Sequence, residues 1–462
     1  MSEAETAVST PRTMRTFMII WLGQIISIIG SGLTSFGLAV WIFDQTGQAT
    51  PFALTVMFGN LPRILLSPIA GALVDRWNRR WVMILSDTGS ALLTVGALVL
   101  LTVGQLEVWH IYLIAALGSV LSTFQEPAYT ASVSLLVSKK DLGRANGLMQ
   151  MGQALEMLIA PLLAGVLFGL IGLRGLVLID FVTFFFAVGA LLLVQIPQPP
   201  RQQTAVSDPT TSLWQEAWFG WHYLRQRSGL FGLLVYFALV NFFLNFTAVL
   251  LGPLVLSFSS SAALGTVQAI GGVGMLAGSI IMSAWGGPKQ NRIPVVIGLI
   301  AFASLGVFIV GLQPTAVFVA TGLFILMVCV PLGGGTSQAI FQSKVAPDVQ
   351  GRVFSIRTMI SRSMMPLAFL LAGPLADRIF GPLLDEGGAL ATTFVGNIVG
   401  VGPGRGIGLL FMAAATFLFV TSLLMFTYPR VRNLESELPD MLPDEPEGED
   451  GVGEETAVMQ PA

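Results

Sequence analysis

The chain is a succession of apolar runs, each long enough to cross a hydrocarbon core as a helix. A crossing needs roughly 20 apolar residues, and runs of that kind fall at 17–43, 51–74, 81–103, 108–137, 142–171, 175–196, 229–257, 263–285, 292–312, 315–343, 352–380 and 405–427. A bilayer interior offers no water to satisfy stray backbone groups, so a chain of this kind folds as membrane-spanning helices. Only 11% of its 462 residues are charged, whereas a soluble domain carries about a quarter. Two or three water-soluble domains are therefore excluded. The lone cysteine, Cys329, rules out a disulfide framework and argues against a cysteine-rich metal site. Residues 1–16 are polar and the run after them is too long for a signal h-region, so no cleavable leader is expected.

Charge between the runs sets an orientation. With the N-terminus in the cytoplasm, most of the 23 Lys and Arg fall in cytoplasmic segments, and the outer loops hold only Arg174, Arg378 and Arg405; this is the positive-inside bias. The longest internal polar segment, 197–228, divides the runs into six and six. The fold class expected is all-α: a polytopic membrane protein of twelve transmembrane helices in two pseudo-symmetric six-helix bundles. The divisions expected are a first bundle over 1–196, a cytoplasmic linker over 197–228, a second bundle over 229–430, and an acidic, disordered cytoplasmic tail over 431–462. Within the linker, 197–212 is Pro-rich and polar. Trp214, Trp218, Trp221, Tyr223, Arg225 and Arg227 then make 213–227 either an interfacial amphipathic helix or a helix packed beneath the bundle.

The halves echo each other. Gly143-Arg144 and Gly351-Arg352 are 208 positions apart, as are Ala131 and Ala339, and the stretches PLLAG from Pro161 and PLAFLLAG from Pro366 are alike. Several matches at one offset, coinciding with the six-plus-six division, point to duplication, and repeats around a midplane site are a transporter design.

The loop after the second run reads Gly71-Ala-Leu-Val-Asp75-Arg76-Trp-Asn78-Arg79-Arg80. It resembles the signature loop of the major facilitator superfamily, with Asn78 where the family has a second glycine. Asn tolerates the left-handed turn such a glycine supplies. Trp285-Gly-Gly-Pro-Lys289-Gln-Asn-Arg292, after the eighth run, is a degenerate copy. The resemblance covers about residues 15–430. It implies a conformational gate in which Gly71 allows close helix approach, Asp75 faces the start of the eleventh run near Arg352, and Arg76, Arg79 and Arg80 pair with Asp87 or Asp141. The alternative for the arginines is simple anchoring at the membrane face. A narrower resemblance, to the macrolide-efflux and enterobactin-exporter branch, rests on QEPAYTASVSLLVSKKDLGRANGLMQ (125–150), Ser86-Asp87 and GVGPGRGIGLLF (400–411). It implies export of drugs or natural products driven by protons. The exporter hallmark of the fifth helix is relaxed here to Ala160-Pro161-Leu-Leu-Ala164-Gly165.

Ionisable residues within spans are costly and mark function. A carboxylate in a poorly solvated cavity can take a proton on one side and release it on the other. Glu126 and Glu156, with Arg63 nearby, are the candidates for proton coupling. The structural alternative is a fixed Arg63–Glu126 pair. Asp180 is expected to pair with Arg174. Gln24, Asn241, Phe242, Asn245, Phe246 and Arg362 are candidates to line a substrate cavity. Aromatic side chains suit bulky apolar ligands.

His110 and His222 lie at opposite ends of the topology, and no nucleophile–base pair or phosphate-binding loop is visible. The expected function is secondary active export by alternating access: no enzyme activity, no cofactor, no metal, no nucleic acid, and protons, a small-molecule substrate and the lipid bilayer as partners of a monomer in a bacterial inner membrane. Proton-coupled import, or a non-transporting receptor or scaffold with the same fold, are the alternatives.

Overall fold

A computed structural model of the protein describes residues 14–74, 76–138, 141–194, 196, 221–222, 224–345 and 350–437. Eleven helices among them are long and apolar enough to cross a membrane. They are α1 (Met14–Thr46), α2 (Ala49–Val74), α3 (Arg79–Val103), α4 (Val108–Leu136), α5 (Leu142–Leu193), α6 (Ser228–Leu256), α7 (Ser261–Trp285), α8 (Arg292–Leu312), α9 (Ala316–Lys344), α10 (Gln350–Pro374) and α11 (Arg405–Thr427). No strand occurs among the described residues.

Helix α5 resolves the difference from twelve runs. Its 52 residues are two spans joined at Gly172, whose φ of 64° and ψ of −174° break the helix. Only glycine adopts such a backbone at no steric cost. The break falls where the sequence separates its fifth and sixth runs. Helix ends elsewhere follow local chemistry. Asn78 caps α3 by accepting from the Arg80 and Trp81 amides, Ser260 caps α7, and Gly104 closes α3 in the left-handed conformation. Asn78 itself is extended, at φ −70° and ψ 109°, so the left-handed turn expected of it is not made: its side chain is used as a cap instead.

Helices α1–α5 pack as one half and α6–α11 as the other, with α5 meeting α7 and α2 meeting α10 between them. The ends of the bundle differ. At the end where α1 begins, called here the basic end, the halves keep separate cores. One holds Phe17, Ile20, Val74, Met83, Val133 and Leu191; the other holds Leu230, Tyr236, Ile293, Phe341 and Val353. At the opposite end a single core joins Val40, Ala49, Phe52 and Met57 of the first half to Phe246, Leu250, Leu254, Phe369 and Ala372 of the second. The halves are thus sealed at the opposite end and apart at the basic end.

Two expectations change. Residues 431–437, assigned to the tail, are helical over Pro429–Arg432 and Leu434–Glu437, and Val431 and Leu434 are buried in the second half's core. Two apolar anchors there outweigh the acidic composition that suggested disorder; Lys344 Nζ donates to the Glu435 carbonyl and the Ile293 amide to its carboxylate. Arg405, read as an outer-loop residue, is 3% exposed and donates to the Val399, Gly311 and Leu312 carbonyls, closing the end of α8. Most of the linker, 197–220, lies outside the described residues.

Candidate functional site

The seal at the opposite end is built from glycine. A Cβ placed on Gly165 of α5 would stand 2.5 Å from the Ser261 carbonyl oxygen of α7, and one on Gly265 would stand 2.2 Å from that of Pro161. In the other seam a Cβ on Gly373 of α10 would stand 2.4 Å from the Thr50 Cα of α2. Small residues let helices approach to backbone contact. Gly165 and Gly373 close the two echoing stretches PLLAG and PLAFLLAG, 208 positions apart. Each seam adds a polar clasp. Ser261 Oγ donates to the Gly165 carbonyl at 3.1 Å. Asp377, in a single π-helical turn that continues α10, accepts from the amides of Ala49 at 2.9 Å and Thr50 at 2.7 Å and from Thr50 Oγ1 at 2.5 Å. A carboxylate there satisfies the free amides that open α2 and meets the positive end of its dipole. Sequence reading missed Asp377: an acid at a span's end looks like any loop acid.

Toward the basic end the two cores share no residue among those described, and charged side chains between the halves are solvent-accessible. Arg63 of α2 and Glu126 of α4 form an ion pair midway along their spans, with side chains 49% and 52% exposed. It is the one ion pair between side chains found among the described residues. Helices α2 and α5 reach the second half at the seal, so their faces continue into the gap below it. Glu156 of α5 is half-buried and within electrostatic reach of the same guanidinium. The three charged residues picked out in the first half therefore gather at one place. Asn241 and Asn245 of α6, one turn apart, are half-buried and donate to the Phe237 and Asn241 carbonyls. Phe242 stacks on Phe246 with centroids 5.8 Å apart.

Some expected cavity residues lie elsewhere. Gln24 is 3% exposed and donates to Asp87 Oδ2 at 3.1 Å. Gln125 Nε2 donates to Asp87 Oδ1, and to Gln24 Oε1 at 3.3 Å. This ring ties α1, α3 and α4 together, so Gln24 is a structural amide rather than a cavity wall. Phe246 is buried in the sealing core, where its apolar ring is better satisfied than beside a polar gap. The Arg362 side chain lies outside what is described. Asp180 does not pair with Arg174, whose Nη2 donates to the Leu101 carbonyl. It accepts from Ser31 Oγ and Thr94 Oγ1, each at 3.0 Å.

The signature loop sits at the basic end. Asp75 is outside the described residues, as are the side chains of Arg352 and its neighbours Gln350 and Gly351. Gly71 meets nothing within 4 Å of a built Cβ, so the close approach expected of it is absent where the halves stand apart. Arg76 is exposed. Arg79 Nη1 donates to the Ala131 carbonyl at 3.0 Å, and Arg80 donates to the Leu191 and Leu192 carbonyls at 2.8 and 3.0 Å. The expected acids are engaged elsewhere: Asp87 by the two glutamines and Asp141 by Ser138 at 2.7 Å. Arg79 and Arg80 instead donate to helix carbonyls within their own half.

Comparison with known proteins agrees with this architecture. The family model described as Major Facilitator Superfamily matches residues 20–369. Macrolide efflux protein A of Streptococcus pyogenes is 29% identical over 389 residues, covering 79% of this chain and 90% of that one. Among solved structures, the nucleoside transporter NupG superposes with a TM-score of 0.65 at 14% identity, covering 90% of this chain and all of that one. An inward-facing, unoccupied bacterial homologue of the human lysosomal transporter Spinster gives 0.61 at 15% identity, covering 90% and 98%.

Proposed function

From the premise that this chain belongs to the Major Facilitator Superfamily and is a multi-pass membrane transporter, not an enzyme, we propose that it exports hydrophobic or amphipathic small molecules by proton antiport. The basic end is cytoplasmic in this reading, so the gap between the halves faces the cell interior and takes up substrate there. The relationship to a macrolide efflux protein supports export of a bulky, largely apolar ligand.

The observation that carries the reading is the Arg63–Glu126 pair, half-exposed at the gap, with Glu156 in reach of the same cation. With the opposite end shut, Glu126 holds Arg63 and carries no proton. When the halves rock and the site faces outward, a proton from the outer medium neutralises Glu126 and frees Arg63. Arg63 then turns to Glu156, and the site loses the arrangement that held substrate. On return, the proton leaves to the cytoplasm and the pair re-forms. Protonation thus differs between the two states, which any coupled cycle requires. Asn241, Asn245 and Phe242 supply polar and aromatic contacts for substrate. Gly71, Asp75, Arg76, Arg79 and Arg80 lock the basic end when the opposite end opens. No cofactor takes part.

Transport in inverted vesicles under an imposed pH gradient, with a panel that includes macrolides, tests this. Substrate uptake accompanied by proton release from the lumen is the expected result. Uptake indifferent to the gradient, or coupling intact after both Glu126→Gln and Glu156→Gln, overturns it.

A further inference from the structure

Asp180 lies on the second arm of α5, inside the first half and away from the gap's ion pair. It is 6% exposed. Its two carboxylate oxygens are faced by hydroxyls from two other helices. Ser31 Oγ of α1 is 3.0 Å from Oδ1, and Thr94 Oγ1 of α3 is 3.0 Å from Oδ2. Thr34, one turn beyond Ser31 on α1, also sits beside this carboxylate, 7% exposed. Its Oγ1 is buried and makes no hydrogen bond of good geometry. The packing is tight: a Cβ on Gly30 would stand 3.1 Å from the Asp180 Cα.

Five side-chain oxygens from three helices therefore surround one point, and no positive group is among them. The spans of α1, α3 and the second arm of α5 carry no basic residue but Arg15, Arg79 and Arg80 at the basic end and Arg174. Arg174 is spent on the Leu101 carbonyl. An unpaired carboxylate inside an apolar bundle is costly and has to be neutralised. The ligand set says by what. All donors are hard oxygens, which suits alkali and alkaline-earth ions over transition metals. One formal negative charge balances a single positive one, which disfavours a divalent ion. Ser31, exposed in the protein, leaves a way in. The Thr34 hydroxyl gains a well-placed partner when an ion sits among these oxygens.

We propose that Asp180, Ser31, Thr34 and Thr94 form a sodium site that pins α1, α3 and the second arm of α5 together. A ligand bound to the folded state alone raises the melting temperature, and above its dissociation constant the rise follows the logarithm of its concentration. The site does not depend on the direction or substrate of transport, so it stands or falls separately from the antiport reading.

The test is thermal unfolding of the full chain in nanodiscs, titrated with sodium chloride against choline chloride at matched ionic strength. A sodium-specific rise of several degrees, growing with the logarithm of the sodium concentration, is expected. Asp180→Asn abolishes the rise, and Thr34→Val and Ser31→Ala weaken it. Should Asp180→Asn fail to fold, the other two variants decide. Equal curves in sodium and choline overturn the proposal, as does a sodium-specific rise that survives these substitutions. An equal rise with potassium overturns the assignment to sodium. Melting that follows pH but ignores sodium identifies a protonated carboxyl and overturns the site altogether.

Discussion

Gly373 stands so close to Thr50 that a Cβ on the glycine would come within 2.4 Å of the threonine Cα. No side chain yields at such a contact, since both partners are backbone. Replacing Gly373 by Ala forces α10 and α2 apart, and overpacking of this kind costs about 1–3 kcal/mol. The cost falls only on the state with the opposite end shut. Gly373→Ala is therefore expected to shift the conformational equilibrium roughly 5- to 150-fold toward opening. Spin-label distances across that end, in the substitution and the parent, check it.

The clasp beside that glycine makes a separate prediction. Asp377→Ala removes three hydrogen bonds and leaves the α2 amides without their acceptor. Hydrogen bonds to a charged group contribute about 1.5–3 kcal/mol, so labelling of a cysteine placed on the shut end should accelerate at least tenfold. Asp377→Asn keeps one acceptor oxygen and should fall between Ala and the parent. Identical labelling rates for all three proteins would remove Asp377 from the seal.

Glu126→Gln breaks the only ion pair between side chains found among the described residues. Proton release per substrate moved should fall by at least half, while substrate still binds. Arg63→Gln added to it should do little more, because the pair acts as a unit. Binding measured by intrinsic fluorescence, beside transport, separates loss of coupling from loss of fold.

Asp87 holds two glutamines from two helices. Asp87→Leu leaves the buried Gln24 amide without its acceptor, at about 1–3 kcal/mol, takes one of two partners from Gln125, and should lower the melting temperature markedly. Asp87→Asn restores one acceptor and should recover part of the loss. Melting curves of the three proteins in the same lipid check the order.

Asp75→Asn should slow transport several-fold while leaving spin-label distances across the shut end unchanged. A Cβ on Gly71 would meet nothing within 4 Å in this state, so the close helix approach at that glycine belongs to the state with the basic end closed. Unaltered transport would remove Asp75 from the gate.

How far these features can be read from the residues depends on their range. Spans are written in composition, because twenty apolar residues in a row have one stable outcome in a bilayer. The division of α5 is equally local, since the run falters around Gly172. Charges within spans announce themselves, and the meeting of Arg63, Glu126 and Glu156 follows from their rarity. The Asp87 ring and the Asp377 clasp do not announce themselves. Each depends on which helices face each other and at what depth, and a Gln in one span says nothing of an Asp 63 positions away. The misassignments share that origin. The arginine nearest to Asp180 along the chain is Arg174, whereas the partners of Asp180 come from α1 and α3 across the bundle.

The paired glycine seams have a bearing on leakage. They fasten different helix pairs, α5 with α7 and α2 with α10, and both must part before water can pass the opposite end. A chance fluctuation that loosens one leaves the other fastened, so the odds of a transient breach are near the product of two small probabilities. A membrane that stores energy as an ion gradient can therefore leave this protein resting with only the opposite end fastened and lose almost none of its charge through it.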